Sequence, residues 1–124
     1  MKDPTSPVCR TISTLLSRIG DKWTVLVVQT LGSGSKRFNE LRREIPSVSQ
    51  RMLTLTLRNL ERDGLVSRTV TPSIPPRVDY ALTELGQSLL GPICGLARWA
   101  MEHVEDIHAA QARFDAQLAE REAA

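Results

Sequence analysis

One segment of this 124-residue chain, SQRMLTLTLRNLERDG (Ser49–Gly64), carries side chains suited to binding a polyanion. At about 100° per residue, a helix through it gathers a polar ridge on one face: Arg51, Thr54, Leu55, Arg58 and Arg62. Guanidinium groups bind phosphates and guanine edges as two-pronged donors. The opposite face is suited to packing on a core: Met52, Leu53, Thr56, Leu57 and Leu60. The segment therefore predicts a DNA-recognition helix.

The candidate contacts within this helix differ in their chemistry. Arg51 and Arg58 are the main candidates for base edges or phosphates, with ordinary solvated arginines as the alternative. Ser49 and Gln50 can bind phosphate through their side chains or through free N–H groups of the first turn. Ser49 can equally serve only as an N-cap. Thr54 faces outward and could touch a base, or be an unremarkable surface residue.

Three basic residues outside this helix are further candidates. Lys36 and Arg37 precede another predicted helix, where they could bind a backbone phosphate or simply keep a loop soluble. Arg77 stands at the base of a predicted hairpin, from which it could reach phosphates or the minor groove.

The elements that must position these residues begin with three helices. Thr11–Ile19 has apolar residues at helical spacing and ends at Gly20. Asp21 can cap a second helix, Lys22–Leu31, whose nearly all-apolar surface predicts a central position in the domain. A third helix is predicted from the spacing of Phe38, Leu41 and Ile45, and Pro46 ends it.

A hairpin and a long helix follow the basic helix. Val66–Thr71 and Arg77–Leu82 are β-branched, alternating segments around a proline-rich tip, which predicts two strands. Thr83 is a plausible N-cap for a helix that continues to about Ala119. A bend or break is expected in that helix at Pro92 and Gly95. A further change of direction is expected at 104–107.

This order is typical of a winged helix-turn-helix. We expect a mainly α fold with a small β-hairpin, in which the third helix crosses the DNA backbone and the fourth enters the major groove. The chain is expected to be one domain, 1–124, with additional N- and C-terminal dimerisation helices. Its DNA-binding core spans about 11–82, with the wing at 66–82, and the C-terminal helical dimerisation region spans 83–120.

Charge and composition agree with a small binding protein. The net charge is only +2, but residues 1–80 carry 13 Lys/Arg against 7 Asp/Glu, whereas residues 81–124 carry 3 against 7. A basic body with an acidic tail favours a polyanionic partner. No apolar run is long enough for a bilayer and no signal peptide is evident, so a cytoplasmic protein is expected. No phosphate loop, nucleophile elbow or metal-ligand cluster is recognisable in the sequence. We therefore expect that the protein is not an enzyme and binds no cofactor.

A long apolar stripe in the C-terminal helix predicts a homodimer: Leu89, Leu90, Ile93, Leu96, Ala97, Ala100, Met101 and Val104. A compact winged domain can cover only part of this stripe, so a second copy is expected to cover the rest. Two recognition helices about 34 Å apart would then read a palindromic operator in successive major grooves. The alternative is a monomer whose long helix folds back on its own core.

Three blocks of the sequence resemble the HxlR-type bacterial transcription regulators: Gly20–Leu31 (GDKWTVLVVQTL), Arg37–Arg68 and Pro75–Gly86 (PPRVDYALTELG). The resemblance extends from the Cys9 region to about residue 105. It implies a homodimeric winged helix-turn-helix protein that binds operator DNA and usually needs no metal or cofactor. One position departs from the family: where a polar residue, often Gln, stands in relatives, this chain has Leu55. Leucine can contact a thymine methyl but cannot donate a hydrogen bond.

The two cysteines, expected to be reduced thiols, have different predicted roles. The resemblance implies that a cysteine at the position of Cys9 serves as a sensor in some members. Cys9, beside Arg10, could react with a small electrophile or an oxidant, with an unreactive half-buried thiol as the alternative. Cys94 is expected to be an inert core residue.

Two classes of function follow. The first is a sequence-specific, homodimeric repressor or activator of transcription that responds to redox or electrophile stress through Cys9. The second is a winged-helix module that docks a protein without specific DNA binding. The two differ in salt dependence, because release of counterions from several phosphates makes DNA affinity fall steeply with added salt.

Overall fold

The computed structural model describes residues 5–123. Within them lie five helices and one antiparallel sheet: α1 (Pro7–Ile19), α2 (Lys22–Leu31), β1 (Lys36–Arg37), α3 (Phe38–Glu44), α4 (Gln50–Arg62), β2 (Val66–Thr71), β3 (Arg77–Leu82) and α5 (Glu84–Ala123). The predicted mainly α fold with a small β element is confirmed. The described residues form two compact units, one ending at Ile93 and the other beginning at Cys94. The predicted boundaries of the DNA-binding core and the dimerisation region stay predictions.

Side-chain caps explain where the first two helices start. Ser6 caps α1 by accepting a hydrogen bond from the Cys9 N–H at 3.2 Å, and Pro7 occupies the first helical position. Proline is pre-organised there and needs no donor, so α1 starts four residues before the predicted Thr11. Asp21 caps α2 by accepting from the Trp23 N–H at 2.8 Å, and the predicted bounds of α2 are confirmed.

The core lies around α2, as its apolar composition predicts. Its fully buried members come from α2, from α3 and the residue that follows it, from α4, from β2 and from the part of α5 before Cys94: Val27, Val28, Leu31, Leu41, Ile45, Leu53, Leu57, Leu60, Val66 and Ile93. α2 packs directly on α4. The helix with the broadest apolar surface therefore supports the helix that carries the polar ridge.

The sheet adds one strand to the predicted hairpin. β2 and β3 pair antiparallel from Val66↔Leu82 to Thr71↔Arg77, which confirms both predicted strands. β1 pairs with the other edge of β3, giving the strand order β1-β3-β2. Two residues are too few for a period-2 pattern, so no local pattern in the sequence marks this strand. Its effect is to fasten the start of α3 to the wing.

The connection from α4 through the wing to α5 is closed by a small set of hydrogen bonds. Gly64 follows the last turn of α4 with φ +76, a conformation that glycine adopts without strain. Thr83 caps α5 as predicted, because its Oγ1 accepts from the Gly86 N–H at 3.1 Å. The same hydroxyl donates to the Gly64 carbonyl at 2.6 Å, and the Thr83 N–H donates to the Leu65 carbonyl at 3.1 Å.

The break predicted in the last helix is absent. Residues Glu84–Ala123 are helical throughout, with Pro92 inside the helix, and neither Gly95 nor residues 104–107 interrupt it. One proline removes one backbone hydrogen bond, and the bonds of the turns on either side maintain the helix. No helix among residues 5–123 combines the length and the apolar character needed to cross a membrane.

Gly86→Ala is expected to lower the free energy of unfolding by about 3 kcal/mol or more. Gly86 is buried at the start of α5, and a Cβ there would collide with the backbone carbonyl of Leu65, which cannot rotate away. Gly91→Ala is the matched control: its Cβ would meet no atom within 4 Å, and alanine should stabilise the helix by up to about 1 kcal/mol. Urea denaturation of the two variants measures both effects, and equal stabilities would contradict the close approach.

Candidate nucleic-acid interface

The two faces of α4 lie as the periodicity predicts. Four side chains are buried against the core: Leu53, Thr56, Leu57 and Leu60. The opposite ridge is exposed: Arg51, Thr54, Leu55, Arg58 and Arg62. Leu55 is 46% exposed although it is aliphatic, and it lies between threonine and arginine on this ridge. The exposed face therefore combines guanidinium donors, a hydroxyl and one apolar contact.

The start of α4 is set by a short turn after α3. Ser47 in this turn has φ 69, the left-handed region, which reverses the chain within a few residues. Ser49 is the N-cap, and its Oγ accepts from the Met52 N–H at 3.0 Å. Gln50 and Arg51 are exposed in the first turn, where helix N–H groups point out of the helix end. The capping role of Ser49 is thus observed, and a role in phosphate binding stays a prediction.

A basic cleft lies between α3 and the wing. Arg37 and Arg77, both predicted candidates, line it together, although they are forty positions apart in sequence. An adjoining cavity of about 650 Å³ is lined by the same two arginines, by Phe38 and Asn39 of α3, and by five residues of the wing: Thr71, Ser73, Pro75, Pro76 and Val78. The pairing of Arg37 with Asp79 across β1 and β3 explains this proximity.

Arg42 and Arg43 are candidates that sequence reasoning missed. Both are exposed on α3, and with Asn39 they line one depression on its surface. Arg43 also lines the cleft that contains Arg37 and Arg77. An adjacent arginine pair in the predicted backbone-crossing helix was the available signal, because such a helix lies against phosphates.

Ion pairs divide the candidate cations into two groups. The Lys36 ammonium lies 3.2 Å from a Glu44 carboxylate oxygen, and its side chain is only 17% exposed. Arg77 donates through Nε to Asp79 at 2.9 Å, with half of its side chain exposed. Among residues 5–123, no ion pair involves Arg37, Arg51 or Arg58, so their full charge faces solvent.

The cysteines lie in different surroundings. Cys9 is half-buried in the first turn of α1. Cys94 is exposed, so its expected place in the core is wrong. It directly follows buried Ile93, but neighbouring helix residues point about 100° apart, and burial of one does not bury the next.

The helix-turn-helix, the exposed basic ridge of α4 and the hairpin wing define a transcriptional regulator of the helix-turn-helix type. A family model described as HxlR-like helix-turn-helix matches residues 18–108, and the chain belongs to this family. An HTH-type transcriptional regulator of Methanothermobacter thermautotrophicus is 48% identical over 88 residues, which are 71% of this chain and 67% of that protein.

Solved structures agree with this assignment. A transcriptional regulator, YtfH from Salmonella typhimurium, matches with a TM-score of 0.76 at 32% identity, covering 89% of this chain and 95% of that one. The redox regulator HypR in its reduced form matches with a TM-score of 0.73 at 40% identity, covering 80% and 98% of the two chains. The winged-helix fold predicted from the order of elements is therefore confirmed.

Proposed function

We propose that this protein is a homodimeric transcriptional regulator of the cytoplasm that binds a palindromic operator in double-stranded DNA. The observation that carries the proposal is the exposed ridge of α4. Its arginines have no ion-pair partner within the described chain, while its opposite face is fixed in the core. A single α-helix fits the major groove of B-DNA, and arginine is the commonest reader of guanine there.

The chemistry of each ridge residue suggests which group of the DNA it would contact in the major groove. Arg51 and Arg58 would donate to guanine edges or to phosphates, and Thr54 would touch a base between them. Leu55 would contact a thymine methyl, since its exposed side chain offers only apolar surface. Relatives with a polar residue here would read that base pair by a hydrogen bond instead, which makes Leu55 a position of altered sequence preference.

The basic cleft supports contacts with the DNA backbone on either side of the groove. Arg37, Arg42 and Arg43 on the α3 side and Arg77 on the wing would bind phosphates, which fixes the register of α4. Ser49 and Gln50 would add phosphate contacts at the start of α4. Lys36 and Arg77 would contribute less than the arginines of the α3 side, because their charges are already paired with Glu44 and Asp79.

The alternative function, a winged-helix module that docks a protein, would use the same face. The two differ in how affinity responds to salt. Each phosphate contacted on duplex DNA adds about −0.9 to the slope of log K against log salt concentration. With several arginines on the surface we expect a slope of about −4 or steeper, whereas a protein–protein contact gives a shallower dependence.

Replacing both Arg51 and Arg58 by alanine is expected to weaken operator binding by about 2–6 kcal/mol, since each bidentate base contact contributes about 1–3 kcal/mol. The double change of Arg98 and Arg113 to alanine is the matched control, because it removes the same charge from two exposed positions of α5. Fluorescence anisotropy with selected operator DNA measures the change. Unchanged affinity of the variant lacking Arg51 and Arg58 would show that α4 is not the recognition helix.

The homodimer is supported by the helix beyond Cys94. Alternating steps of four and three residues connect one stripe along it: Ala97, Ala100, Val104, Ile107, Gln111, Phe114 and Leu118. This is the heptad spacing of a two-helix seam. Its four large apolar members are exposed in the single chain, which leaves apolar surface for a second copy to cover. An operator with two-fold symmetry would match such a dimer.

Ile107→Glu is expected to convert the dimer to a monomer at micromolar concentration, because it places two like charges in the seam. Ala109→Glu is the matched control, since residue 109 lies on the opposite side of the heptad. Sedimentation equilibrium distinguishes the two states. If Ile107→Glu stays dimeric, the seam lies elsewhere.

A response to oxidants through Cys9 is the second part of the proposal. It is supported by the similarity to HypR, which is described as a redox regulator, and by the place of Cys9 in α1. Oxidation would join the Cys9 sulfur to a second thiol, either of another copy or of a small thiol such as glutathione. Because Cys9 lies within a helix, a bulky adduct or cross-link there would displace α1.

Diamide is expected to change the operator affinity of the native protein and of Cys94→Ser, but to leave that of Cys9→Ser unchanged. Diamide takes two electrons and two protons from a thiol pair, forming one disulfide. Operator binding before and after addition of dithiothreitol, together with a non-reducing gel, measures the response. Equal responses of Cys9→Ser and the native protein would remove Cys9 as the sensor.

A further inference from the structure

A cavity of about 400 Å³ lies between α1 and the first turns of α5. Seven residues at helical spacing on these two helices form its walls: Thr11, Leu15, Arg18, Ile19, Leu85, Ser88 and Leu89. Three residues of other elements complete the lining: Thr24, Asp63 and Leu65. Small-molecule sites in proteins occupy about 300–1,000 Å³. The cavity is therefore large enough for a ligand with one or two rings.

The lining of this space is mainly apolar and open to solvent, because Leu15 and Leu85 are 38% and 57% exposed. Five of its residues are aliphatic. A small apolar molecule bound in this space would cover that surface, and removing apolar surface from water favours binding.

The charged part of this lining is the ion pair between Arg18 and Asp63. Arg18 Nε donates to Asp63 Oδ2 at 2.6 Å, and the side chains are only 20% and 12% exposed. The Thr11 and Ser88 hydroxyls already donate to backbone carbonyls of their own helices, Pro7 and Leu85. The remaining N–H groups of the guanidinium and the second carboxylate oxygen are therefore the polar groups with the most capacity left for a ligand.

The ion pair selects the charge of the ligand. Its two charges cancel, so a ligand anion drawn to Arg18 would also face the carboxylate of Asp63 in a partly desolvated site. A hydroxyl group fits both partners, because it can accept from a guanidinium N–H and donate to a carboxylate oxygen. We propose that this cavity binds a small, neutral, largely apolar molecule of the phenol class, whose hydroxyl engages Arg18 and Asp63.

The site is connected to the candidate recognition helix. Asp63 is the C-cap residue of α4, and its N–H donates to the Asn59 carbonyl at 3.0 Å. A ligand that pulls on the Arg18–Asp63 pair therefore acts on the last turn of α4. The resulting change in operator affinity rests on the proposed DNA-binding function, whereas binding of the ligand itself does not.

The test uses 2-naphthol, which is neutral at pH 7 and whose ring system suits the cavity, with the anion 2-naphthoate for comparison. Calorimetric titration of the full chain without DNA is expected to show one saturable site per chain for 2-naphthol and at least about tenfold weaker binding of 2-naphthoate. Methyl NMR signals of Leu15, Leu85 and Leu89 are expected to shift on titration. Absence of saturable binding, or equal affinity for the anion, would overturn the proposal.

Two neighbouring substitutions on α5 locate the site. Ser88→Phe places a ring in the cavity and is expected to weaken 2-naphthol binding at least about tenfold. Gln87→Phe adds the same ring at an exposed position outside the lining, and it should bind as the native protein does. Circular dichroism verifies that both fold. Equal binding by the two variants would overturn the proposal, as would a Ser88→Phe variant that becomes monomeric without losing 2-naphthol.

Asp63→Asn tests the charge argument independently. It leaves Arg18 with a net positive charge at the wall, so 2-naphthoate is expected to gain at least about tenfold in affinity relative to 2-naphthol. An unchanged preference would show that the ion pair does not select the ligand. Operator affinity is then measured with and without 2-naphthol. If the native chain binds 2-naphthol but no DNA, the site stands and the proposed function fails.

Discussion

Burial of three leucines on the inner face of α4 is the contact on which the rest of the structure depends. Leu53, Leu57 and Leu60 are almost completely withdrawn from solvent, in a core they share with Val27 and Val28 of α2. Burying a leucine contributes about 1.5–3 kcal/mol, so the three together approach the net stability of a small domain. Helix α4 therefore cannot turn about its axis, and the same ridge always faces outward.

The other parts of the fold hold neighbouring elements in place around this ridge. β1 ties the start of α3 to β3, which brings Arg37 beside Arg77 of the wing. Thr83 bonds back to Gly64, so the wing leaves α4 and returns to the core at the same place. These connections are local hydrogen bonds rather than large buried surfaces. They fix orientation, while the stability comes from the leucine core.

Periodicity and turn chemistry predicted most of this fold, because its helices and strands are bounded by local signals. Asp21, Ser49 and Thr83 cap the helices that follow them, and the bounds of β2 and β3 agree with the alternation in the sequence. What the sequence did not reveal depends on partners distant in the chain. β1 exists only through its pairing with β3, and Arg18 meets Asp63 across 45 positions.

The candidate site was predictable to the same degree. The exposed ridge follows from helix geometry alone, so the sequence pattern is sufficient to predict its members. The neutralisation of Lys36 by Glu44 depends on the tertiary positions of their side chains. The adjacent arginines of α3 were visible in the sequence, but the cleft that Arg43 shares with Arg37 and Arg77 depends on the placement of α3 beside the wing. The continuous α5 shows the opposite error, since a local rule about proline predicted a break that the helix does not have.

Selection of bound fragments from random DNA tests the central claim most directly, that the outer ridge of α4 reads DNA as one half of a dimer. We expect enrichment of an inverted repeat whose half-sites are centred about one helical turn apart, some 10 base pairs. Replacing Leu55 by glutamine should change the preferred base at one position in each half-site. Failure to enrich any sequence, or a motif unaffected by substitutions along the ridge, would contradict the account.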